Sequence, residues 1–159
     1  MPKNIIVHPE TCTGCQTCTL MCSFLHQRSF RPDVSRIQVF TWENEGISVP
    51  VLCQQCEDAP CLSICPTGAL SRNPKTQAIA LRESYCIHCR MCVQACPFGS
   101  ISYDAVSGTV EKCDLCGGNP NCVQFCPTGA LEFIDDAAVA NVRSKEHAAR
   151  IKEAVQEVK

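Results

Sequence analysis

Apolar residues in this chain occur in short stretches bounded by turn-forming residues, which predicts short strands. The clearest is Ile37–Trp42, which predicts a strand, followed by a turn at residues 43–46 and a second strand at residues 47–49 that ends at Pro50. This inserted hairpin carries the single tryptophan, Trp42. Trp42 either shields a buried site from water or anchors a partner protein, since tryptophan is enriched at interface hot spots.

Three further short strands are predicted where an apolar stretch follows a glycine turn, at Leu70, at residues 101–103 and at residues 131–134. The first of these strands closes the sequence Cys-Pro-Thr-Gly-Ala-Leu at residues 65–70. The same six residues recur unchanged at 126–131. A weaker copy, Cys-Pro-Phe-Gly-Ser-Ile, occupies residues 96–101. These copies indicate an internal duplication.

The C-terminal segment predicts a helix over residues 137–159, capped by Asp135 or Asp136. Arginine, lysine and glutamate separate its apolar positions, so the helix either lies on its own domain or docks on a larger subunit. The apolar positions at helical spacing are Val139, Val142, Ile151, Val155 and Val158.

Cysteine dominates the candidate chemistry, because all sixteen cysteines fall in four runs of four that each end in Cys-x3-Cys. Three of the runs close on a proline, whereas the first is followed by Ser23. The runs are Cys12, Cys15, Cys18 and Cys22; Cys53, Cys56, Cys61 and Cys65; Cys86, Cys89, Cys92 and Cys96; and Cys113, Cys116, Cys122 and Cys126.

This spacing is typical of [4Fe–4S] clusters, in which three cysteines of a run bind one cluster and the fourth binds the other cluster of a pair. Structural zinc fits less well, because zinc sites normally use two separated Cys-x2-Cys pairs. A disulfide scaffold is also less suitable, since such scaffolds are usually short secreted domains and no signal peptide is seen. We therefore predict four [4Fe–4S] clusters ligated by the sixteen cysteines.

The runs alternate in spacing, since the first and third are tight and the second and fourth are wide. Two runs must exchange their fourth cysteines to form a two-cluster unit. From spacing alone, the first run pairs with the second and the third with the fourth, or the first and fourth enclose the second and third. Both arrangements remain open at this point.

Charge and hydropathy exclude some functions. The formal net charge of −2 falls to about −10 when four clusters with their thiolates are counted, which argues against nucleic-acid binding. No apolar run is long enough for a membrane span, and a cytoplasmic location is expected. Because every segment of the chain carries its own metal site, the metal-free protein should be largely unfolded.

Together, the segments at residues 50–69, 86–99 and 112–116 resemble the four-cluster, ferredoxin-like iron–sulfur subunits of molybdenum and tungsten oxidoreductases. They also resemble related subunits of hydrogenase and carbon monoxide dehydrogenase systems. The resembling segments are Pro-Val-x-Cys-x2-Cys-x2-Ala-Pro-Cys-x3-Cys-Pro-Thr-Gly-Ala, Cys-Ile-x-Cys-Arg-x-Cys-x2-Ala-Cys-Pro-Phe-Gly and Lys-Cys-Asp-Leu-Cys.

The resemblance implies the nested pairing and a small α+β fold of two pseudo-duplicated ferredoxin-like units. The outer unit would comprise residues 1–35 and 104–136, with an inserted hairpin at 36–51, an inner unit at 52–103 and the C-terminal helix. The implied ligand sets are Cys12, Cys15 and Cys18 with Cys126; Cys113, Cys116 and Cys122 with Cys22; Cys53, Cys56 and Cys61 with Cys96; and Cys86, Cys89 and Cys92 with Cys65.

The resemblance also implies a non-catalytic role, in which single electrons pass between a larger catalytic subunit and a second donor or acceptor protein. The short chain resembles the soluble subunits that accompany tungsten aldehyde oxidoreductases. Alternatives are a free polyferredoxin or a subunit of a carbon monoxide dehydrogenase, formate dehydrogenase or hydrogenase complex. Four clusters in one line would further allow end-to-end self-association of copies.

Other functions have less support. No glycine-rich dinucleotide fingerprint or metal constellation beyond cysteine indicates an enzyme, and no DNA-binding element indicates a regulator. Residues within the cysteine loops are candidates for tuning the cluster potentials through hydrogen bonds and charge. These candidates are His88, Arg90, Gln54 and Gln55.

Overall fold

The computed structural model describes residues 3–135 and the positions 138–140, 142, 144–145, 148, 151–152 and 156. Short strands and short helices alternate along the described chain, as expected for an α+β protein. The strands are β1 (Lys3–Val7), β2 (Ile37–Trp42), β3 (Ile47–Leu52), β4 (Leu70–Arg72), β5 (Ile79–Leu81), β6 (Ile101–Asp104), β7 (Thr109–Lys112) and β8 (Leu131–Asp135). The helices are α1 (Thr17–Gln27), α2 (Pro60–Ser63), α3 (Met91–Ala95) and α4 (Asn121–Gln124).

The described strands form four separate two-stranded antiparallel sheets. Three of these are hairpins of consecutive strands, β2–β3, β4–β5 and β6–β7. In the fourth sheet β1 pairs with β8, with Ile5 opposite Phe133, so that two segments far apart in sequence lie side by side. Helix α1 contacts α4 and helix α2 contacts α3 in the same nested order. The outer parts of the chain thus pair with each other around the inner parts.

The predicted strands at Leu70, at residues 101–103 and at residues 131–134 are present as β4, β6 and β8. The predicted inserted hairpin is also present, but the prediction that its second strand ends at Pro50 was wrong. β3 continues to Leu52, and its buried positions alternate at Ser48, Pro50 and Leu52. Proline is tolerated there because β3 pairs only with β2 among the described strands, which leaves one side of the strand without ladder hydrogen bonds.

Two apolar clusters form the interior, and cysteine contributes to both. One cluster packs Ile37, Leu52 and Leu115 with cysteines of the first, second and fourth runs. The other packs the strand residues Leu70 and Ile101 with cysteines of the second and third runs. Because thiol side chains make up so much of the interior, the binding sites described below coincide with the core.

Two ion pairs join the segment after α1 to the β6–β7 hairpin. Arg31 Nη1 lies 3.2 Å from Asp104 Oδ2, and Arg36 Nε lies 2.9 Å from Glu111 Oε2. The Asp104 and Glu111 side chains are each only 3% exposed. These buried carboxylates therefore depend on arginines from a distant part of the chain.

The predicted C-terminal helix falls partly outside the described residues, as do its candidate cap Asp136 and its apolar positions Val155 and Val158. The described positions in this segment are helical, with Val139 buried and Ile151 exposed. Across the described part of the chain, no helix combines the length and apolarity that crossing a membrane requires.

Candidate metal centres

Three small cavities are each lined by four cysteines, three from one run and one from another. The first holds Cys12, Cys15 and Cys18 with Cys126 and is called site A. The other two cavities are built in the same way and are called site C and site D; site B is described below. Site C holds Cys53, Cys56 and Cys61 with Cys96, and site D holds Cys86, Cys89 and Cys92 with Cys65.

The remaining four cysteines form a fourth group, site B, comprising Cys22, Cys113, Cys116 and Cys122. Burial raises the pKa of the Cys122 thiol, and the neighbouring Cys113, Cys22 and Cys116 raise it further. Burial likewise raises the pKa of Cys113 to about 12. Such thiols do not ionise at neutral pH without a nearby cation. A bound metal would supply that cation, because metal-coordinated thiols are deprotonated.

The loop backbone has the same unusual conformation in all four runs. The residue immediately before the second cysteine has a positive φ, between 48° and 68°, whether it is glycine or not. For the non-glycine residues this left-handed conformation costs roughly 1–2 kcal/mol, so the surrounding structure must impose it. Mixed right- and left-handed turns create concave arrays of backbone N–H groups that suit anionic groups, iron–sulfur centres among them. The residues are Gly14, Gln55, His88 and Leu115.

Apart from the cysteines, the cavity walls are largely apolar. Site D is lined by Leu70, Leu81 and Val110, and site A by Val39 and Pro50 of the inserted hairpin. A donor set of four sulfurs in an apolar wall suits an iron–sulfur cluster, which thiolates hold, and does not suit hard cations that prefer oxygen ligands. The cysteine groups therefore fit the clusters that their spacing predicts.

The base of the inserted hairpin and its far end differ in exposure. Val39 and Pro50 cover site A, whereas Trp42 and Phe40 are 51% and 53% exposed. The base of the hairpin therefore shields a cysteine group, whereas Trp42 faces solvent and lines none of the three cavities. Its role as an anchor for a partner protein stays a prediction.

The sites differ in access to the surface. Site A reaches it through the exposed Cys15, and site D through the exposed Cys89. Sites B and C contain no exposed cysteine, and Cys53 of site C and Cys113 of site B are buried. Sites A and D are thus the accessible ones and sites B and C the enclosed ones.

The proposed tuning residues make different contacts. Gln55 Nε2 donates to the carbonyl of Cys113 over 2.9 Å, which joins the loop of site C to the loop of site B. His88 Nδ1 lies 4.0 Å from Cys86 Sγ, at the limit of a sulfur contact. Arg90 stacks over the ring of Tyr103 at 3.8 Å. Gln54 lines site C.

Sequence reasoning missed two residues beside the cysteines. His26, from the end of α1, places Nε2 3.8 Å from Cys116 Sγ, and burial followed by the charge of Arg36 lowers its pKa. Its ring nitrogen, an Asp114 carboxylate oxygen and Cys116 Sγ lie within 4.8 Å of one another, but Cys116 already belongs to site B.

The second missed residue is Lys112, whose Nζ lies 3.3 Å from Cys53 Sγ. Its position directly before Cys113 at the end of β7 was the one available signal, because a strand end next to a ligand is held close to that ligand's site.

Comparison with known proteins agrees with this chemistry. The 4Fe-4S dicluster domain family matches residues 45–136, and the 4Fe-4S binding domain family matches residues 9–25. The chain therefore belongs to the 4Fe-4S dicluster domain family.

Three curated relatives are named as parts of redox systems. The aliphatic sulfonate oxidoreductase polyferredoxin-like subunit of Pyrococcus furiosus is 47% identical, over 77% of this chain and 70% of the relative. The thiosulfate reductase electron transfer subunit PhsB of Salmonella typhi is 38% identical, over 82% of this chain and 75% of the relative. Formate hydrogenlyase subunit 2 of Escherichia coli K12 is 31% identical, over 91% of this chain and 88% of the relative.

A solved structure, the active site complex BamBC of benzoyl coenzyme A reductase as isolated, has a chain with a TM-score of 0.51 and 22% identity. The match covers 97% of this chain and 96% of that chain, and it shows a shared fold. The family match and the sequence relatives identify the chain as an iron–sulfur electron-transfer protein, of the kind found as a non-catalytic subunit of oxidoreductase complexes.

Proposed function

We propose that this chain relays single electrons through four [4Fe–4S] clusters between a catalytic molybdenum or tungsten oxidoreductase subunit and a second redox partner. The observation that carries the proposal is the grouping of sixteen cysteines into four sets of four, each drawing three cysteines from one run and one from another. When bound, each cluster would supply one one-electron centre with a potential that its surroundings tune.

Under this proposal the cysteines are the ligands, and the sets follow the nested pairing. Sites A and B then belong to an outer unit of residues 1–35 and 104–136, and sites C and D to an inner unit of residues 52–103. The antiparallel pairing of β1 with β8 and the contact of α1 with α4 support the outer unit. The hairpin β2–β3 is the insertion between the two units.

The order of the sites along the relay is A, B, C and D. The Cys18 thiol of site A contributes to the raised pKa of Cys122 in site B, and the Cys53 thiol of site C contributes to the raised pKa of Cys113 in site B. These interactions support A as the neighbour of B and B as the neighbour of C. Exposed Cys15 and Cys89 at the two ends support the idea that each end faces one partner.

The catalytic partner is proposed to be of the tungsten aldehyde oxidoreductase type, on the strength of the sequence resemblance. The relationship to the Pyrococcus furiosus polyferredoxin-like subunit supports a partner oxidoreductase in general. The relationship to formate hydrogenlyase subunit 2 favours, as a second candidate, a formate- or hydrogen-converting complex. End-to-end self-association and a cytoplasmic location stay predictions.

The ligand sets are tested by iron loss in cysteine variants. Cys12→Ser and Cys126→Ser share one cluster under the nested pairing, so the double variant should lose no more iron than either single variant. Cys12→Ser with Cys65→Ser is the matched control, and its losses should add. The opposite result, additive loss in the first pair and not in the second, supports sequential pairing of the runs and refutes the nested sets.

The partner is tested by anaerobic purification of the native protein, with mass spectrometry of co-eluting chains and analysis for tungsten, molybdenum and nickel. A stoichiometric large subunit carrying tungsten is expected. Nickel in place of tungsten or molybdenum would move the protein to the hydrogenase or carbon monoxide dehydrogenase group. A chain that elutes alone with its iron would favour a free polyferredoxin.

A further inference from the structure

Lys112 is among the most deeply buried side chains of the described protein, with 2% of its surface exposed. A buried lysine is rare unless its charge is compensated, because moving an ammonium out of water is costly. The surroundings of Lys112 must therefore provide both hydrogen bonds and negative charge.

The hydrogen bonds are complete. Lys112 Nζ donates to the carbonyl of Ile79 over 2.7 Å, to the carbonyl of Cys113 over 2.9 Å and to Cys53 Sγ over 3.3 Å. An ammonium has three N–H donors, and each of them has one acceptor here. The arrangement is thus suited to the charged form of the side chain.

No carboxylate among the described residues forms an ion pair with Lys112, and two of its three acceptors are neutral carbonyls. The remaining acceptor is a sulfur of site C, and the residue that follows Lys112 is Cys113 of site B. The positive charge consequently faces the two enclosed cysteine groups, and no acidic side chain of the described residues forms an ion pair with it.

Gln55 reinforces this junction. Its Nε2 donates to the same Cys113 carbonyl that Lys112 contacts, and its Oε1 accepts from the backbone N–H of Ile79 over 2.9 Å. Lys112 and Gln55 thus connect the loop of site C, strand β5 and the loop of site B. The charge of Lys112 is held in one place by these contacts.

We propose that Lys112 is a tuning residue shared by the two enclosed sites, which raises the reduction potential of site C through its N–H···S contact and its charge. This inference rests on the proposed function, because it assigns a role toward clusters that the cysteines would hold. A positive charge and a hydrogen bond to a ligating sulfur both favour the added electron. Electrons would then be retained at the centre of the relay in preference to its exposed ends.

The test is an anaerobic redox titration, monitored by electron paramagnetic resonance, of Lys112→Met and Lys112→Gln. In Lys112→Met the equilibrium constant for reduction of one centre should fall at least tenfold, which is about 59 mV for a one-electron couple. In Lys112→Gln, which keeps N–H donors without the charge, this equilibrium constant should fall less. Lys75→Met, at an exposed position in the β4–β5 turn, is the matched control and should change no potential.

Iron content separates failure of this inference from failure of the proposed function. A wild-type protein that cannot hold four clusters refutes the proposed function. Full iron in Lys112→Met together with unchanged potentials overturns the role of Lys112 alone.

If both variants lose iron, the contact between Lys112 and the cluster is tested in the wild-type protein instead. With lysine labelled by ¹⁵N at Nζ, pulsed electron paramagnetic resonance should detect a ¹⁵N coupling to one reduced centre. Absence of this coupling overturns the proposal, whereas its presence supports the contact between Lys112 and a ligating sulfur.

Discussion

Replacing Gly14 by alanine should destabilise the protein because the inserted hairpin packs directly against the first cysteine loop. Gly14 has φ +68°, and a Cβ atom added there would lie 2.6 Å from Ser48 Oγ of β3. Gly46, in the hairpin turn, has the same conformation at φ +67° but no atom within 4 Å of an added Cβ. The two glycines therefore share the backbone strain and differ only in the contact.

The magnitude follows from these two components. A left-handed alanine costs roughly 1–2 kcal/mol at either position. At Gly14 the Ser48 hydroxyl must also move, which breaks its 3.1 Å hydrogen bond with Thr41 and costs about 1 kcal/mol more. At about 2–4 °C per kcal/mol for a chain of this size, Gly14→Ala should lower the Tm by a few degrees more than Gly46→Ala.

The assay is anaerobic thermal unfolding of both variants at equal iron content, with Ser48→Ala added as a second change. In the Ser48→Ala background, Gly14→Ala should cost only the backbone strain, because the crowding oxygen is gone and the bond to Thr41 is already lost. Equal Tm changes for Gly14→Ala and Gly46→Ala, or the same cost with and without the Ser48 hydroxyl, would refute close packing of the hairpin on the Cys12–Cys15 loop.

Three further predictions concern charge and metal. Arg36→Met should cost about 3–5 kcal/mol in unfolding free energy, because it leaves the buried carboxylate of Glu111 with a hydrogen bond from Gln27 but no cationic partner, and a loss below 1 kcal/mol by thermal unfolding would contradict this. The hydrogen bond from Ser107, with help from Arg31, lowers the pKa of Asp104, so the stabilisation by the Asp104 carboxylate is present above about pH 4 and is lost only as the pH falls further. The Tm difference between wild type and Asp104→Asn should thus be the same at about pH 7 and about pH 5. A Tm difference that is already smaller at about pH 5 would speak against this. Removal of iron with a chelator should abolish most secondary structure by circular dichroism, since the thiols form much of the core, and a metal-free protein with a native spectrum would disprove this.

Local patterns predicted the elements that local chemistry determines. The turn after each Cys-Pro-x-Gly motif led correctly to β4, β6 and β8, because glycine adopts the left-handed conformation that starts each strand. The pairing of β1 with β8 could not be predicted in this way, since the antiparallel register joins segments more than a hundred residues apart. The continuation of β3 past Pro50 was missed because proline interrupts strands that are paired on both sides, whereas β3 is paired on one side only among the described strands.

The candidate metal centres also combine features that local sequence predicts with features that depend on long-range contacts. Cysteine spacing predicts the sixteen candidate ligands, but it does not determine which runs exchange their fourth cysteines. Sequence marks Lys112 only by its place directly before Cys113 and does not mark His26 at all, because their contacts with Cys53 and Cys116 span 59 and 90 residues of sequence. No period or motif within one segment reports such contacts.

A stoichiometric reductive titration of the purified protein would show whether this chain holds four one-electron centres. With total iron measured on the same sample, we expect about sixteen iron atoms per chain and uptake of four electrons per chain, one for each [4Fe–4S] cluster. Eight iron atoms and two electrons in fully folded protein would contradict it, because two of the four cysteine groups would then hold no cluster.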